Sequence, residues 1–259
     1  MSHVNTFVNR CHSSLMDGTD FSLQGMKYLL NKRGLTLETI KERMIGICHH
    51  DTDLPEPIKH LGEEHLAPEE RRDFSYFILG RIIVPIHDEF GKIVAFGTRS
   101  INHDDGTTWW NTPFPKSNHL FLLGKSKKSI FESNKVYLVE GYMDAIVLQQ
   151  CGIHNAVAVM GTNLSLRQMG LMARYCSNIC FCFDVDKNSS GQKAQKRSIM
   201  AVNRFKIFDE LSVITGLTEG EDPDQFVLKN GKDAFFSKEK ILDEKDIRLI
   251  AKSLQEKDL

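Results

Sequence analysis

The chain has 259 residues, 41% hydrophobic and 26% charged, the mix of an ordinary globular protein with room for one large domain or two small ones. That composition excludes a collagenous, low-complexity or largely disordered chain, and no apolar run approaches the ~18 residues that cross a bilayer. With 33 Lys+Arg against 34 Asp+Glu the formal net charge is −1, so no global basic field exists and any polyanion must be held by a local patch.

The amino terminus, MSHVNTFVNRCHSS, carries no apolar leader core, and a cytoplasmic protein with no membrane partner is expected. In FSLQGMKYLLNKRG, Met26, Leu29 and Leu30 fall on one helical stripe that Gly34 ends, and LTLETIKERMIG predicts a second amphipathic helix ending at Gly46. Residues 49–70 are polar and Pro-bearing, which predicts a loop with short helical pieces. From Arg81, RIIVPIHDEFGKIVAFGTRSI shows two β-type runs around Asp88-Glu89-Phe90-Gly91, the signal of a hairpin. Residues 1–130 are therefore expected to form a mixed α/β unit with antiparallel strands.

From residue 131 the rhythm becomes strand, helix, strand, helix. Strands are predicted at VYLV (136–139), AVAVM (156–160), ICFCF (179–183) and LSVIT (211–215). Helices are predicted at 143–152, from a Ser165/Gln168 capping box to about Tyr175, and at 191–208. Short apolar strands separated by helices imply a four-stranded parallel sheet covered on both faces over 131–218, with 219–259 as a loop and a short helical tail.

Six cysteines lack disulfide-framework spacing and are expected reduced; Cys11-His12 and Cys48-His49-His50 are too tightly adjacent to chelate one ion, so no zinc is expected. In an open parallel sheet, ligands bind beyond the carboxyl ends of the strands. Those exits carry Glu140-Gly141-Tyr142-Met143-Asp144, Asp184-Val185-Asp186 and Glu221-Asp222-Pro223-Asp224. Each group alone is what a solvated turn carries, and EDPD alone reads as a helix N-cap followed by a first-turn proline. Their coincidence at three strand ends points to a metal site, because clustered carboxylates repel unless a cation neutralises them. Hard oxygen donors suit Mg²⁺ or Mn²⁺, and two such ions can clamp an in-line phosphoryl displacement. Residues 91–135 also carry seven Lys+Arg against three acids, a local basic excess. Trp109-Trp110 has the rings to stack a base, although adjacent tryptophans more often split between core and surface.

The tracts EGYMD and Asp184-Val185-Asp186, with the strand order around them, resemble the Toprim fold of DnaG-type primases, topoisomerases and some nucleases. KYLLNKRGL with IGIC, RIIVPIHDEFGKIVAFGTR, NTP at 111–113, VEGYMDAIVLQQCGI and GEDPDQFV further resemble the RNA polymerase domain of bacterial and phage DnaG-type primases, over residues 22 to 231. The resemblance implies a catalytic core making short RNA primers on single-stranded DNA from nucleoside triphosphates, in the host cytoplasm if phage-encoded. It implies Glu140, Asp184 and Asp186 as catalytic metal ligands for two Mg²⁺ or Mn²⁺ ions, with Asp144, Asp222 and Asp224 as a second acidic set. Arg81, Arg99, Asn111, Lys116 and Lys187 would hold nucleotide or template. Val185 stands where the family often has glycine, and the 186–191 loop is about two residues longer than usual. By that resemblance no counterpart of the family's zinc module is expected here, its helicase-binding domain is expected to be missing or reduced to 232–259, and a replicative helicase or a separate zinc-bearing module is expected as partner. The rival readings are a Toprim nuclease and a non-catalytic Toprim DNA-binding module.

Overall fold

The computed structural model describes residues 3–101, 108–161, 163–184, 190–218, 220 and 222–255, which divide into two compact units. One comprises Met1–His87 and Gly91–Phe114, the other Asp88–Phe90 and Pro115–Leu259. The division thus falls ahead of the expected boundary at 130. Leu120, Leu123 and Ile130 belong to the core of the parallel-sheet unit, and Phe121 bridges to Ala158 there.

The first unit begins with α1 (His3–Leu15), α2 (Asp20–Lys27) and α3 (Leu37–Glu42), then β1 (Gly46–Cys48), α4 (Glu56–Lys59), β2 (Arg81–His87), β3 (Ile93–Ser100) and β4 (Trp109–Asn111). Its sheet runs β1-β2-β3-β4, antiparallel throughout, with a bulge at Ile86/His87. The expected hairpin is β2-β3. Phe7, Cys11, Ile58, Phe74, Ile78, Ile83 and Phe96 form the core, and helix α1 lies so close to β1 that a side chain on Gly46 would collide with the Cys11 backbone. The first predicted helix is interrupted: Thr19 caps α2, but Tyr28–Lys32 continue it as a π-turn. The extra residue per turn rotates the stripe, so Tyr28 and Leu29 are buried while Leu30 faces solvent, against the expected Met26-Leu29-Leu30 face.

The second unit contains α5 (Leu123–Ser133), β5 (Lys135–Val139), α6 (Tyr142–Gln150), β6 (Ala156–Ala158), α7 (Leu166–Ala173), β7 (Asn178–Phe181), α8 (Ser190–Phe205) and β8 (Glu210–Ile214). These are followed by α9 (Pro223–Asn230), α10 (Lys232–Phe236), β9 (Glu239–Ile241) and α11 (Glu244–Gln255). Strand order is β6-β5-β7-β8-β9. The four expected strands are parallel, with Val136, Leu138, Val157, Ile179, Phe181 and Val213 in the core and the buried Ser212 at the centre of β8. The tail adds a fifth strand, β9, antiparallel to β8, where only helix was expected. Its three residues carry too few apolar positions to show a period. Glu239 holds it, accepting from Lys135 Nζ at 2.7 Å, Tyr137 Oη at 2.8 Å and Ser212 Oγ at 2.6 Å.

Ser165 and Gln168 form the predicted capping box. The buried Gln168 amide also donates to the carbonyls of His119 at 2.8 Å, Val159 at 3.1 Å and Lys116 at 3.3 Å. Gln168→Ala removes the donor to the Val159 and His119 carbonyls and opens the capping box, the Lys116 carbonyl keeping the His119 N–H, and is expected to lower unfolding stability by about 2 kcal/mol, read as a shifted urea midpoint at unchanged m-value.

All six cysteines are free thiols. Among the described residues no helix is long and apolar enough to cross a membrane.

Candidate active site

The acidic residues of the second unit gather because three strand exits lie side by side. Strand β5 ends at Val139, so Glu140 stands at the carboxyl end of an interior strand, where its carbonyl accepts the Met160 N–H at 3.0 Å. Met160 itself takes a left-handed backbone, φ 62, rare for a side-chain-bearing residue and a local strain stored beside Glu140. Gly141 opens α6, and a Cβ there would sit 2.8 Å from Asp144 Oδ2. Its φ of −105° suits any residue, so the glycine is required by the room that Asp144 occupies.

Asp144, one turn into α6, is buried and accepts the backbone N–H of Asp224, which places the α9 start against α6. Pro223 is the first residue of α9 and Asp222 its N-cap, as the sequence predicts, yet Asp222 makes no side-chain capping bond. Asp224 is buried as well, with Oδ1 on the Gln225 N–H at 2.6 Å. Asp184 follows β7, and its predecessor Phe183 donates its N–H to Gln195 Oε1 of α8 at 3.0 Å. Glu140, Asp144, Asp184, Asp222 and Asp224 are thus brought to neighbouring ends of the same elements. Asp186 and Lys187 lie outside the described residues, as does Glu221.

Burial pushes the Asp144 carboxyl well above its ordinary value, and the charges of Asp184, Asp224 and Asp222 push it further, in that order. Because the folded value lies above the unfolded one, ionising Asp144 opposes folding. Its contribution to metal-free stability is therefore most favourable at acid pH and is lost as the pH rises above about 3.8 toward the folded-state value. Asp144→Asn is expected to remove that slope, so that the variant gains on wild type in urea midpoint between about pH 4 and pH 7 in chelator. An equal offset at both pH values would place Asp144 outside the charge cluster.

Among the described residues no three His, Cys, Asp or Glu side chains converge on one ion position. The donor set they do offer is all hard oxygen and mutually repulsive, which suits a divalent cation. In the first unit His12 Nδ1 bonds to the Ile45 carbonyl, and His49 lies 3.7 Å from Asp17.

The basic residues of the first unit form a separate cluster around Tyr28. Arg99 Nε and Arg33 Nε each donate to Tyr28 Oη at 2.9 Å, and the Arg99 guanidinium lies 5.3 Å over the Trp109 ring. Burial, then the charge of Arg33, holds the Arg99 guanidinium below its usual value. Two guanidiniums converging on one phenol are chemistry suited to an anion such as a phosphate. Arg33 was not among the expected site residues. Its signal was present in KYLLNKRGL, but the five-residue step from Tyr28 joins neighbours only on a π-turn.

Arg81 corrects the sequence expectation. It is 2% exposed, with Nη2 donating to the Thr108 carbonyl at 3.1 Å, and has no surface to offer a ligand. Asn111 pairs with Gly97 at the sheet edge and is half-buried. Lys116, in the second unit, is half-buried, and desolvation lowers its pKa. Of the two tryptophans, Trp110 stacks on Phe77 at 5.3 Å against the core, and Trp109 carries Arg99.

Two family models match the chain: the N-terminal domain of the DNA primase catalytic core over residues 17–127, and a Toprim-like domain over 137–227. The DNA primase of Pseudomonas aeruginosa is 33% identical over 222 residues, 80% of this chain and 33% of that protein. The DNA primase of Escherichia coli K12 is 31% identical over 220 residues, 80% of this chain and 37% of that protein. The chain thus spans about a third of the length of these relatives. Among solved structures, a primase domain from P. aeruginosa superimposes with a TM-score of 0.74 at 29% identity, covering 91% of this chain and 76% of that one. A DnaG primase catalytic domain bound to single-stranded DNA gives 0.71 at 27% identity, over 90% and 78%.

Proposed function

Because the chain belongs to the family of DnaG-type primase catalytic cores, carrying both the N-terminal core domain and the Toprim domain, we propose that it synthesises RNA primers on a single-stranded DNA template. The observation that carries this reading is the gathering of Glu140, Asp144, Asp184, Asp222 and Asp224 at strand exits of the Toprim sheet, in a chain that also bears the primase-type basic unit. Glu140 and Asp184, with Asp186 beyond the described residues, would hold divalent cations, Mg²⁺ or Mn²⁺. Such cations, when bound, neutralise triphosphate charge and favour attack by a primer 3′-hydroxyl. Asp144, Asp222 and Asp224 supply the second row of negative charge. Arg99, Arg33 and Lys116 bind phosphate groups of nucleotide or template, and Trp109 offers a face beside Arg99. No side chain acts as a covalent nucleophile; the residues work by position and charge.

Incubating the protein with single-stranded DNA, labelled ribonucleotides and Mg²⁺ or Mn²⁺ separates the candidates. Template-dependent RNA products support the primase. Shortened DNA without incorporation would establish the nuclease, and retained but unaltered DNA the binding module. The basic cluster has its own expected result. Arg99→Ala and Lys116→Ala should each weaken single-stranded DNA or nucleotide binding and lower the slope of log K against log salt by about 0.7 to 1. An unchanged slope would return both side chains to plain surface charge. Partners of the replicative-helicase or zinc-module kind remain part of this proposal, tested by whether they raise primer yield.

A further inference from the structure

The first turns of α8 press against the residues that the proposed function places at the chemistry. An ideal Cβ on Gly191 would lie 2.5 Å from Glu140 Oε1 and 2.5 Å from the Asp184 carbonyl oxygen, closer than real Cβ contacts come. Gly191 is helical and lies outside the left-handed backbone region, so conformational freedom does not call for it. Helix propensity alone would favour alanine at such a position. The glycine is therefore held against propensity by lack of room, and the atoms taking the room are a proposed metal-ligand carboxylate and the backbone of a second ligand. Gly170, helical too, is the internal contrast, because a Cβ there meets nothing within 4 Å. One turn further along α8, Gln195 Oε1 accepts the Phe183 N–H at 3.0 Å, fixing the peptide just before Asp184. The same helix thus touches Glu140 at its carboxylate and the Asp184 segment at two backbone groups.

We propose that Gly191 and Gln195 are positioning residues that set the Glu140 carboxylate and the Asp184 segment at the spacing a divalent cation needs. The backbone at 191 is the wall on which Glu140 seats, and Gln195 holds the β7 exit in place. This rests on the reading of Glu140 and Asp184 as metal ligands. Supporting residues behind metal ligands typically change affinity by about 10- to 100-fold when replaced. Gly191→Ala must move either the Glu140 carboxylate or the Asp184 carbonyl, whereas Gln195→Leu frees the strand exit without filling the site.

The test uses the full chain and Mn²⁺ alone, with free Mn²⁺ counted by electron paramagnetic resonance, alongside melting curves in chelator. Gly191→Ala is expected to raise the Mn²⁺ dissociation constant about tenfold or more and Gln195→Leu about three- to tenfold. Gly170→Ala should leave it unchanged. In incorporation assays kcat should fall while KM for nucleotide stays within about twofold, since the phosphate-binding side chains are elsewhere. Glu140→Asp draws its carboxylate back from position 191, so the Mn²⁺ penalty of Gly191→Ala should shrink in that background. Mn²⁺ affinities of both α8 variants within about twofold of wild type would overturn the proposal, as would an equal penalty in both Glu140 backgrounds. If Gly191→Ala does not fold, Gln195→Leu decides by the same criterion. If Glu140→Gln binds Mn²⁺ as wild type does, the metal reading itself fails. If Glu140→Gln weakens binding but the α8 variants do not, only the positioning role fails.

Discussion

Glu140→Gln, and separately Asp184→Asn, is expected to lower ribonucleotide incorporation by about a thousandfold or more while leaving the fold intact. Each substitution keeps the shape of the side chain and removes a formal charge from a cluster whose buried member, Asp144, already carries the cost of its neighbours' charges. The same change should raise the melting temperature of metal-free protein by a few degrees, because it relieves repulsion among carboxylates. Activity and apo stability thus move in opposite directions, a combination that a merely structural residue does not produce. Near-normal incorporation by either variant would remove that residue from the metal site.

Arg81→Ala is expected to act on stability instead. The side chain is buried in β2, between β1 and β3, and its removal leaves a cavity, while the Thr108 carbonyl loses one of its two donors and keeps the Ser100 N–H. Relief of repulsion with Arg99 offsets part of that loss, but a cavity of arginine size outweighs it. A loss of about 2–3 kcal/mol is expected in urea unfolding, with the salt slope of DNA binding unchanged. A stable variant with a reduced slope would give Arg81 back to the ligand face.

The contrast of Arg81 with Glu140 and Asp184 shows what was legible in the sequence. The parallel strands announced themselves because a sheet covered on both faces needs unbroken apolar runs, and VYLV and ICFCF have them. Glu140, Asp144, Asp184, Asp222 and Asp224 were readable because carboxylates at successive strand exits have no common structural reason to coincide. Arg81 reads as a ligand residue because local sequence does not reveal which face of β2 is covered; on the covered face even a charged residue is enclosed. Strand β9 escaped notice for a related reason: Glu-Lys-Ile becomes a strand through its antiparallel pairing with β8 and the bonds Glu239 accepts from residues far away in the sequence. Leu30 and Arg33 were displaced by a π-turn, which shifts helical neighbours from four residues apart to five. The constraint on Gly191 lies in space, since Glu140 and Asp184 reach it from distant parts of the chain.

The central claim is that the strand-exit carboxylates bind the cations of nucleotidyl transfer. A crystal of the protein soaked in Mn²⁺ tests it most directly, through the anomalous difference map collected at the manganese edge. Strong peaks within coordination distance of the Glu140 and Asp184 carboxylates are the predicted result. A map with no density there under conditions in which the protein in solution makes RNA would contradict the account.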